Sequence, residues 1–207
     1  MDTRDPILLK TVEDLKQFNP KSVFLYGSRG RGDNKPDSDY EIGVIFDDGS
    51  YINRAEIHSV IADPRVKAYP FKWGELSKGS LDFLFQKSLY LREIINGAKT
   101  VFGDDLISQI TALPITTLDL VQDIRFSIAR ALDALLSYRS GDVPTSMDLL
   151  VKSSFYGLRD LEILQLDTFP LGYSQIYELS LSVVTDSENL SVIEAAHNLR
   201  TIGRLPP

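Results

Sequence analysis

The 207 residues carry 29 acidic and 22 basic side chains, a net charge of −7, with 43% apolar residues and no cysteine. That balance suits a water-soluble chain of one large or two small domains and excludes structural disulfides and thiolate-bound zinc. The opening MDTRDPILLK lacks the apolar run of a secretion signal, and no segment approaches the roughly 18 apolar residues of a membrane span, so a cytoplasmic protein away from membranes is expected.

The charge is uneven. Residues 1–104 hold 15 Lys and Arg against 16 Asp and Glu, whereas residues 105–207 hold 7 against 13. An acidic second half argues against a nucleic-acid partner, which would ask for a basic face, and leaves room for a cationic one. The plainer reading of the same charge is solubility.

In chain order, residues 5–18 place Ile7, Leu8, Val12, Leu15 and Phe18 near helical spacing, and Asn19-Pro20 breaks the pattern. VFLY (23–26) is a short buried strand, and YEIGVIF (40–46) a second one closed by the turn DDGS. A helix is expected over 51–62 and a strand over VKAYPF (66–71). LDFLF (81–85) reads as a strand or the start of a helix, SLYLREIING (88–97) as a helix ended by Gly97, and KTVFG (99–103) as a last short strand. The character then changes. Over 116–141, Val121, Ile124, Ile128, Leu132 and Leu135 recur three or four apart, the pattern of one core-facing helix side, with Thr116 as cap and Gly141 as stop. Residues 144–164 repeat the scheme with Met147, Leu150, Val151, Phe155, Leu158 and Leu161, and 174–184 and 190–200 supply two shorter helices. The expected class is α+β: a small mixed sheet flanked by helices over 1–104, then an antiparallel helical bundle over 105–207.

Chemistry concentrates in FLYGSRGRGDNKPDSDYEIGVIF (24–46). Gly27, Gly30 and Gly32 let a backbone approach a ligand closely, Ser28 adds a hydroxyl, and Arg29, Arg31 and Lys35 add positive charge. If residues 28–32 open a helical turn, their N–H groups face whatever anion sits there. Beyond the loop, Asp39 and Glu41 stand two apart on an extended chain and project to one side, while Tyr40 and Ile42 turn to the core. Two carboxylates so close repel, and a divalent cation between them removes the repulsion. Mg²⁺ takes one or two carboxylates together with phosphate oxygens. A phosphate cradle meeting metal carboxylates is equipment for phosphoryl or nucleotidyl transfer.

The stretch resembles the nucleotidyltransferase superfamily that shares its fold with DNA polymerase β. That family's pattern is an apolar residue, Gly-Ser, about ten residues, then Asp-x-Asp or Asp-x-Glu among apolar positions. Here Tyr26-Gly27-Ser28 is followed by Asp39-Tyr40-Glu41-Ile42, with Ser38 just ahead of the pair. The motif covers residues 7–46, and the likeness extends more loosely through REIINGAKTVFG to residue 103. The resemblance implies that Gly27 and Ser28 hold the triphosphate of ATP or another NTP, beside which the charge of Arg29 and Arg31 makes them nucleotide-binding candidates, and that Asp39 and Glu41 bind Mg²⁺. It also implies a third carboxylate, for which Asp82 is the candidate and Glu75 the reserve. The Asp-x-Glu version with a helical second half looks most like the kanamycin nucleotidyltransferase branch. There a carboxylate of the helical domain acts as base toward a sugar hydroxyl, a role that falls on Asp123. Lys152, set among Leu150, Val151 and Phe155, is a candidate for a nucleotide phosphate, or else a lysine stem lying along the edge of the core. The implied reaction moves AMP to a hydroxyl of a small aminoglycoside-like acceptor held by the helical domain. Alternatives are AMP transfer to a partner protein, as in toxin–antitoxin pairs, and a non-catalytic nucleotide- or partner-binding module. A homodimer is open on the same resemblance. His58 and His197 read as surface or core-rim residues. Neither has the Arg five positions upstream that marks related ribonucleases, since Asn53 and Val192 stand there.

Overall fold

A computed structural model describes residues 5–36, 38–50, 52–78 and 87–202, and these fall into two compact units, Met1–Pro114 and Ile115–Pro207. In the first unit, α1 (Pro6–Leu15) begins where Asp5 accepts the N–H groups of Ile7 and Leu8 and Pro6 occupies the first turn. A 3₁₀ turn, Lys16–Phe18, carries the chain to Asn19 and then to β1 (Ser22–Tyr26). The five-residue α2 (Gly27–Arg31) follows without a connecting residue, and β2 (Tyr40–Phe46) returns alongside β1. The chain continues through α3 (Arg54–Val60), β3 (Val66–Lys72), α4 (Trp73–Ser77), α5 (Lys87–Gly97) and β4 (Lys99–Gly103).

The sheet order is β3-β2-β1-β4. β1 is antiparallel to both β2 and β4, and β2 is parallel to β3, so the sheet is mixed. Alternation along the strands makes two cores. Val23, Leu25, Ile42, Val44 and Phe46 pack with Leu8 and Leu15 of α1 and Ile57 of α3. Phe24, Tyr26, Ile45 and Phe71 pack on the other face with Leu76, Leu91 and Ile94, and with Leu106, Ile107 and Ile110, so the stretch just after β4 belongs to this core. Gly43 makes the second core possible: a Cβ there would enter the ring of Phe24, its partner across the β1–β2 ladder.

The strands expected at 23–26, 40–46, 66–71 and 99–103 all form, within a residue of those bounds. The helix expected over 51–62 is shorter, because Asn53 caps it by accepting the Glu56 N–H at 2.9 Å. LDFLF lies outside the described residues. The helix over 88–97 ends at Gly97, as expected. That glycine is absent from the left-handed ones, and its smallness serves packing instead. The carbonyl of Gly97 lies so close to Gly30 that a side chain at Gly30 would meet it, and a Cβ at Gly97 would press on Arg31.

The second unit holds α6 (Thr117–Arg139), α7 (Val143–Leu166), α8 (Tyr173–Val183) and α9 (Ser187–Ile202). Thr116 and Asp119 form a reciprocal capping box at the start of α6, and Gly141, at φ 88°, follows its end. α6 and α7 lie antiparallel, as two cross-links show: Ser153 Oγ donates to the Ser127 carbonyl at 2.7 Å, and Arg159 to Asp123 at 2.6 Å. Val151, Phe155, Ile176 and Ala196 form the core among α7, α8 and α9.

One expectation fails here. The face of α6 read as core is largely solvent-facing, with Val121, Ile128, Leu132 and Leu135 exposed by 39% to 57%. The buried positions are Leu120, Ser127 and Ala134, seven apart, where small side chains admit α7 closely. Periodicity reports which side of a helix is apolar and not which neighbour covers it.

Candidate active site

β1 delivers Tyr26 in an extended conformation, and the chain turns into α2 at Gly27 with φ 64°, a region costly for any residue with a Cβ. Antiparallel pairing sets Tyr26 directly across from Glu41. A Cβ on Gly27 would collide with the carboxylate of Glu41, so that carboxylate lies against the backbone where α2 begins. The Gly-Ser turn and the second carboxylate of the motif are therefore in contact. The N–H groups of a first helical turn have no acceptor inside the helix, which leaves this turn able to receive an anion. Gly32, at φ 93°, ends α2 by donating its N–H to the Ser28 carbonyl at 2.8 Å, and open space surrounds its Cα.

Asp39 sits one residue ahead of β2 and is exposed, while Glu41 is half-buried within the strand and Tyr40 and Ile42 are buried as expected. The segment leading to Asp39 is held by Arg29. Its Nε donates to the Ser38 carbonyl at 2.9 Å and its Nη2 to the Pro36 carbonyl at 3.1 Å, while the guanidinium stacks on Tyr40 with Cζ 3.8 Å from the ring centroid. Tyr40 in turn donates its hydroxyl to Asp5 at 2.7 Å. Burial raises the Asp5 pKa, but the Tyr40 hydroxyl and the N–H groups of Ile7 and Leu8 outweigh it and hold the carboxyl below its ordinary value. A chain of contacts thus runs from the cap of α1 through Tyr40 and Arg29 to the loop that bears Asp39. Arg31 is committed as well, to Glu93 at 3.0 Å and Asp33 at 3.3 Å, and ties α2 to α5. In this structure both arginines expected at the phosphate bind the protein's own carbonyls and carboxylates.

Beneath Glu41 lies an aromatic group that sequence reasoning missed. The hydroxyls of Tyr26 and Tyr90 are 3.0 Å apart, and their rings, with Tyr69, meet edge to face. Burial, with the neighbouring Tyr90 hydroxyl and the Glu41 carboxylate adding to it, raises the Tyr26 pKa well above the ordinary value, and burial also raises Tyr90. Both remain neutral and able to donate. In sequence Tyr26 reads only as the apolar residue before Gly-Ser, and Tyr90 as one more core position on a helix. The signal, two tyrosines on different elements, has meaning only once β1 and α5 are adjacent.

Of the remaining candidates, one lies outside the described residues and the others have partners within their own units. Asp82 lies outside the described residues. Glu75, on α4, pairs with Lys72 at 3.3 Å, and Lys152, on α7, pairs with Asp148 at 2.7 Å. Asp123 is 13% exposed and bound to Arg159 at 2.6 Å. Beside it, Asp160 is fully buried. Burial pushes its carboxyl up to about 8 against the pull of Arg159, and Asp123 adds to the rise. Glu162, also fully buried, is pushed up to about 8 by burial alone. His58 Nε2 lies 3.1 Å from the Ala68 carbonyl, and His197 stacks on Tyr177 at 3.8 Å, the rim settings expected for both. Among the described residues no group of three or more His, Cys, Asp or Glu is gathered for a metal ion. Asp39 and Glu41 supply hard oxygen donors, two carboxylates of the kind that hold Mg²⁺ together with substrate phosphates. No helix of the described residues is long and apolar enough to cross a membrane.

These features define a class. Residues 10–105, just under half of the chain, match the family model described as polymerase beta, nucleotidyltransferase, so that stretch is similar to a nucleotidyltransferase domain. Among solved structures, the chain is similar to spectinomycin adenyltransferase AAD(9) from Enterococcus faecialis, determined with ATP and spectinomycin. That similarity covers 93% of this chain and 97% of that one, at 12% identity and a TM-score of 0.52, and it is a likeness of fold. No curated protein matches the chain by sequence.

Proposed function

We propose that the protein transfers a nucleoside monophosphate, AMP from ATP, to a hydroxyl of a small cationic, aminoglycoside-like acceptor, with Mg²⁺ as cofactor. The observation that carries the reading is the contact between Glu41 and the backbone at Gly27, beside Asp39, within a stretch similar to a nucleotidyltransferase domain. Asp39 and Glu41 would hold the metal, and Gly27 and Ser28 would meet the triphosphate. Bound there, Mg²⁺ supplies charge neutralisation on the phosphate oxygens and lowers the pKa of the attacking hydroxyl.

In the proposed reaction, the acceptor oxygen forms a bond to the α-phosphorus while the bond to the β-bridging oxygen breaks, and pyrophosphate leaves. The site's own part is positioning and electrostatics. The rigid turn at Gly27 fixes where the phosphates lie, and the Arg29–Tyr40–Asp5 chain fixes the segment bearing Asp39. Asp123 is the proposed base for the acceptor hydroxyl, exchanging its bond to Arg159 for one to the acceptor. An ATP-using adenyltransferase of spectinomycin among the structural relatives, and a second half with 7 basic against 13 acidic residues, support a cationic acceptor.

Labelled ATP and Mg²⁺, incubated with aminoglycosides and separately with cell lysate, provide the test. Asp39→Asn is expected to abolish transfer of label to the small molecule while circular dichroism stays unchanged. Undiminished transfer by that variant refutes the metal assignment, and label arriving on a protein band instead overturns the acceptor class.

A further inference from the structure

The face of α6 turned away from α7 carries a second message. Leu118, Val121, Ile128, Leu132, Leu135 and Leu136 are exposed by 62%, 39%, 56%, 57%, 55% and 63%. With Arg125 and Arg139, the series 118, 121, 125, 128, 132, 135, 139 steps alternately by three and four along the whole helix, the heptad seam of a coiled coil. The positions packed on α7, Leu120, Ser127 and Ala134, lie roughly 130° around the helix at about 100° per residue. The seam is thus a separate surface and not the margin of the buried one.

Its size sets what can cover it. Val121 shows roughly 60 Å² of apolar surface and the other five roughly 100–120 Å² each, so the six present about 600 Å². That is the upper end of what a monomer leaves in water. With the stems of Gln122, Arg125 and Arg139 it reaches the roughly 800 Å² per partner of a standard interface. A straight three-heptad seam is matched in length, period and apolar content by its own copy, and twofold pairing is the common route to a closed oligomer. Charge decides the direction. Parallel pairing would stack Arg125 on Arg125 and Arg139 on Arg139 in the same layers, whereas antiparallel pairing separates them.

We propose that two copies of this chain associate through α6, the two helices running antiparallel about a twofold axis. This stands independently of the transferase reading. The test is sedimentation velocity on the full chain up to roughly 100 μM, with a mass twice the 23.2 kDa of one chain expected. Ile128→Glu with Leu132→Glu is expected to weaken self-association by more than about 100-fold, with helical content kept because both side chains face solvent. Leu132→Arg alone is a milder variant for the same measurement should the double one lose helix. The chain has no cysteine, so single cysteines report orientation cleanly. Leu118→Cys is expected to stay unlinked to its own copy under oxidation. A monomer at the highest concentration, or a dimer indifferent to the Ile128 and Leu132 changes, overturns the proposal. A Leu118→Cys homodisulfide overturns the antiparallel arrangement.

Discussion

Replacing Gly27 by alanine tests the central contact of the site. At φ 64° an alanine bears a backbone cost of about 1–2 kcal/mol. Stiffening the unfolded chain returns about 0.4–1 kcal/mol, leaving a net loss near 1 kcal/mol. For a chain of this size that lowers Tm by about 2–4 °C. The larger effect is local. The new methyl group occupies the place of the Glu41 carboxylate, which is the end of a flexible side chain and swings away rather than breaking the sheet. If Glu41 holds the metal as proposed, displacing its carboxylate by an ångström or more is expected to reduce transfer at least ~100-fold. Gly32→Ala is the matched control: it carries similar strain at φ 93° but meets nothing within reach. Calorimetry should therefore show similar losses of stability for the two variants, while titration with Mg²⁺ and ATP, and labelled AMP transfer, should fail only for Gly27→Ala. Unimpaired nucleotide binding by Gly27→Ala, or equal impairment by Gly32→Ala, refutes the reasoning.

Two further predictions concern the scaffold. Gly43→Ala drives a methyl group into the Phe24 ring and is expected to cost about 1–3 kcal/mol, with Phe24→Leu restoring part of that loss. Additive losses in denaturant titrations of the two single variants and the double variant would show that the ring is not the obstacle. The Glu162 carboxyl, neutral in the fold up to about pH 8 but with an ordinary value of 4.5, makes stability depend on pH. Its contribution is complete below pH 4.5 and is lost as pH rises through about 8, because unfolding then releases a proton the native state retains. Asp160, raised for the same reason, acts in the same direction. Across that window Tm should fall with pH, by up to about 1 kcal/mol of stability per pH unit, and Glu162→Gln should flatten the slope. A wild-type Tm that rises from pH 5 to pH 8 contradicts the assignment.

Local rules acted where each residue's partner is near in sequence. The β-branched and aromatic runs over 40–46 and 66–72 favour strands from their own composition, and the Thr116–Asp119 capping box starts α6 from its own four residues. The Gly-Ser turn and the two carboxylates were legible because their spacing is a property of a single β-turn-β passage. The roles of Arg29 and Arg31 were not, since a cation in a glycine-rich loop looks alike whether it faces a phosphate or the loop's own carbonyls. The tyrosine pair beneath Glu41 was hidden for a similar reason. Tyr26 and Tyr90 are 64 positions apart and meet only through the packing of α5 on the sheet.

α6 shows most clearly where the division falls. Its helical state, its cap and the existence of an apolar stripe were determined by the chain alone, because backbone hydrogen bonds and 3.6-residue periodicity are local. Which stripe meets α7 was decided only in three dimensions. There the small side chains at Ser127 and Ala134, with the Ser153–Ser127 and Arg159–Asp123 cross-links, allow closer packing than the leucines on the opposite side. The same holds at the site. Sequence determined that Gly27, Asp39 and Glu41 are present at the right spacing, but only β1–β2 pairing brought the Glu41 carboxylate onto the Gly27 backbone, because register is a relation between strands and not a property of either one.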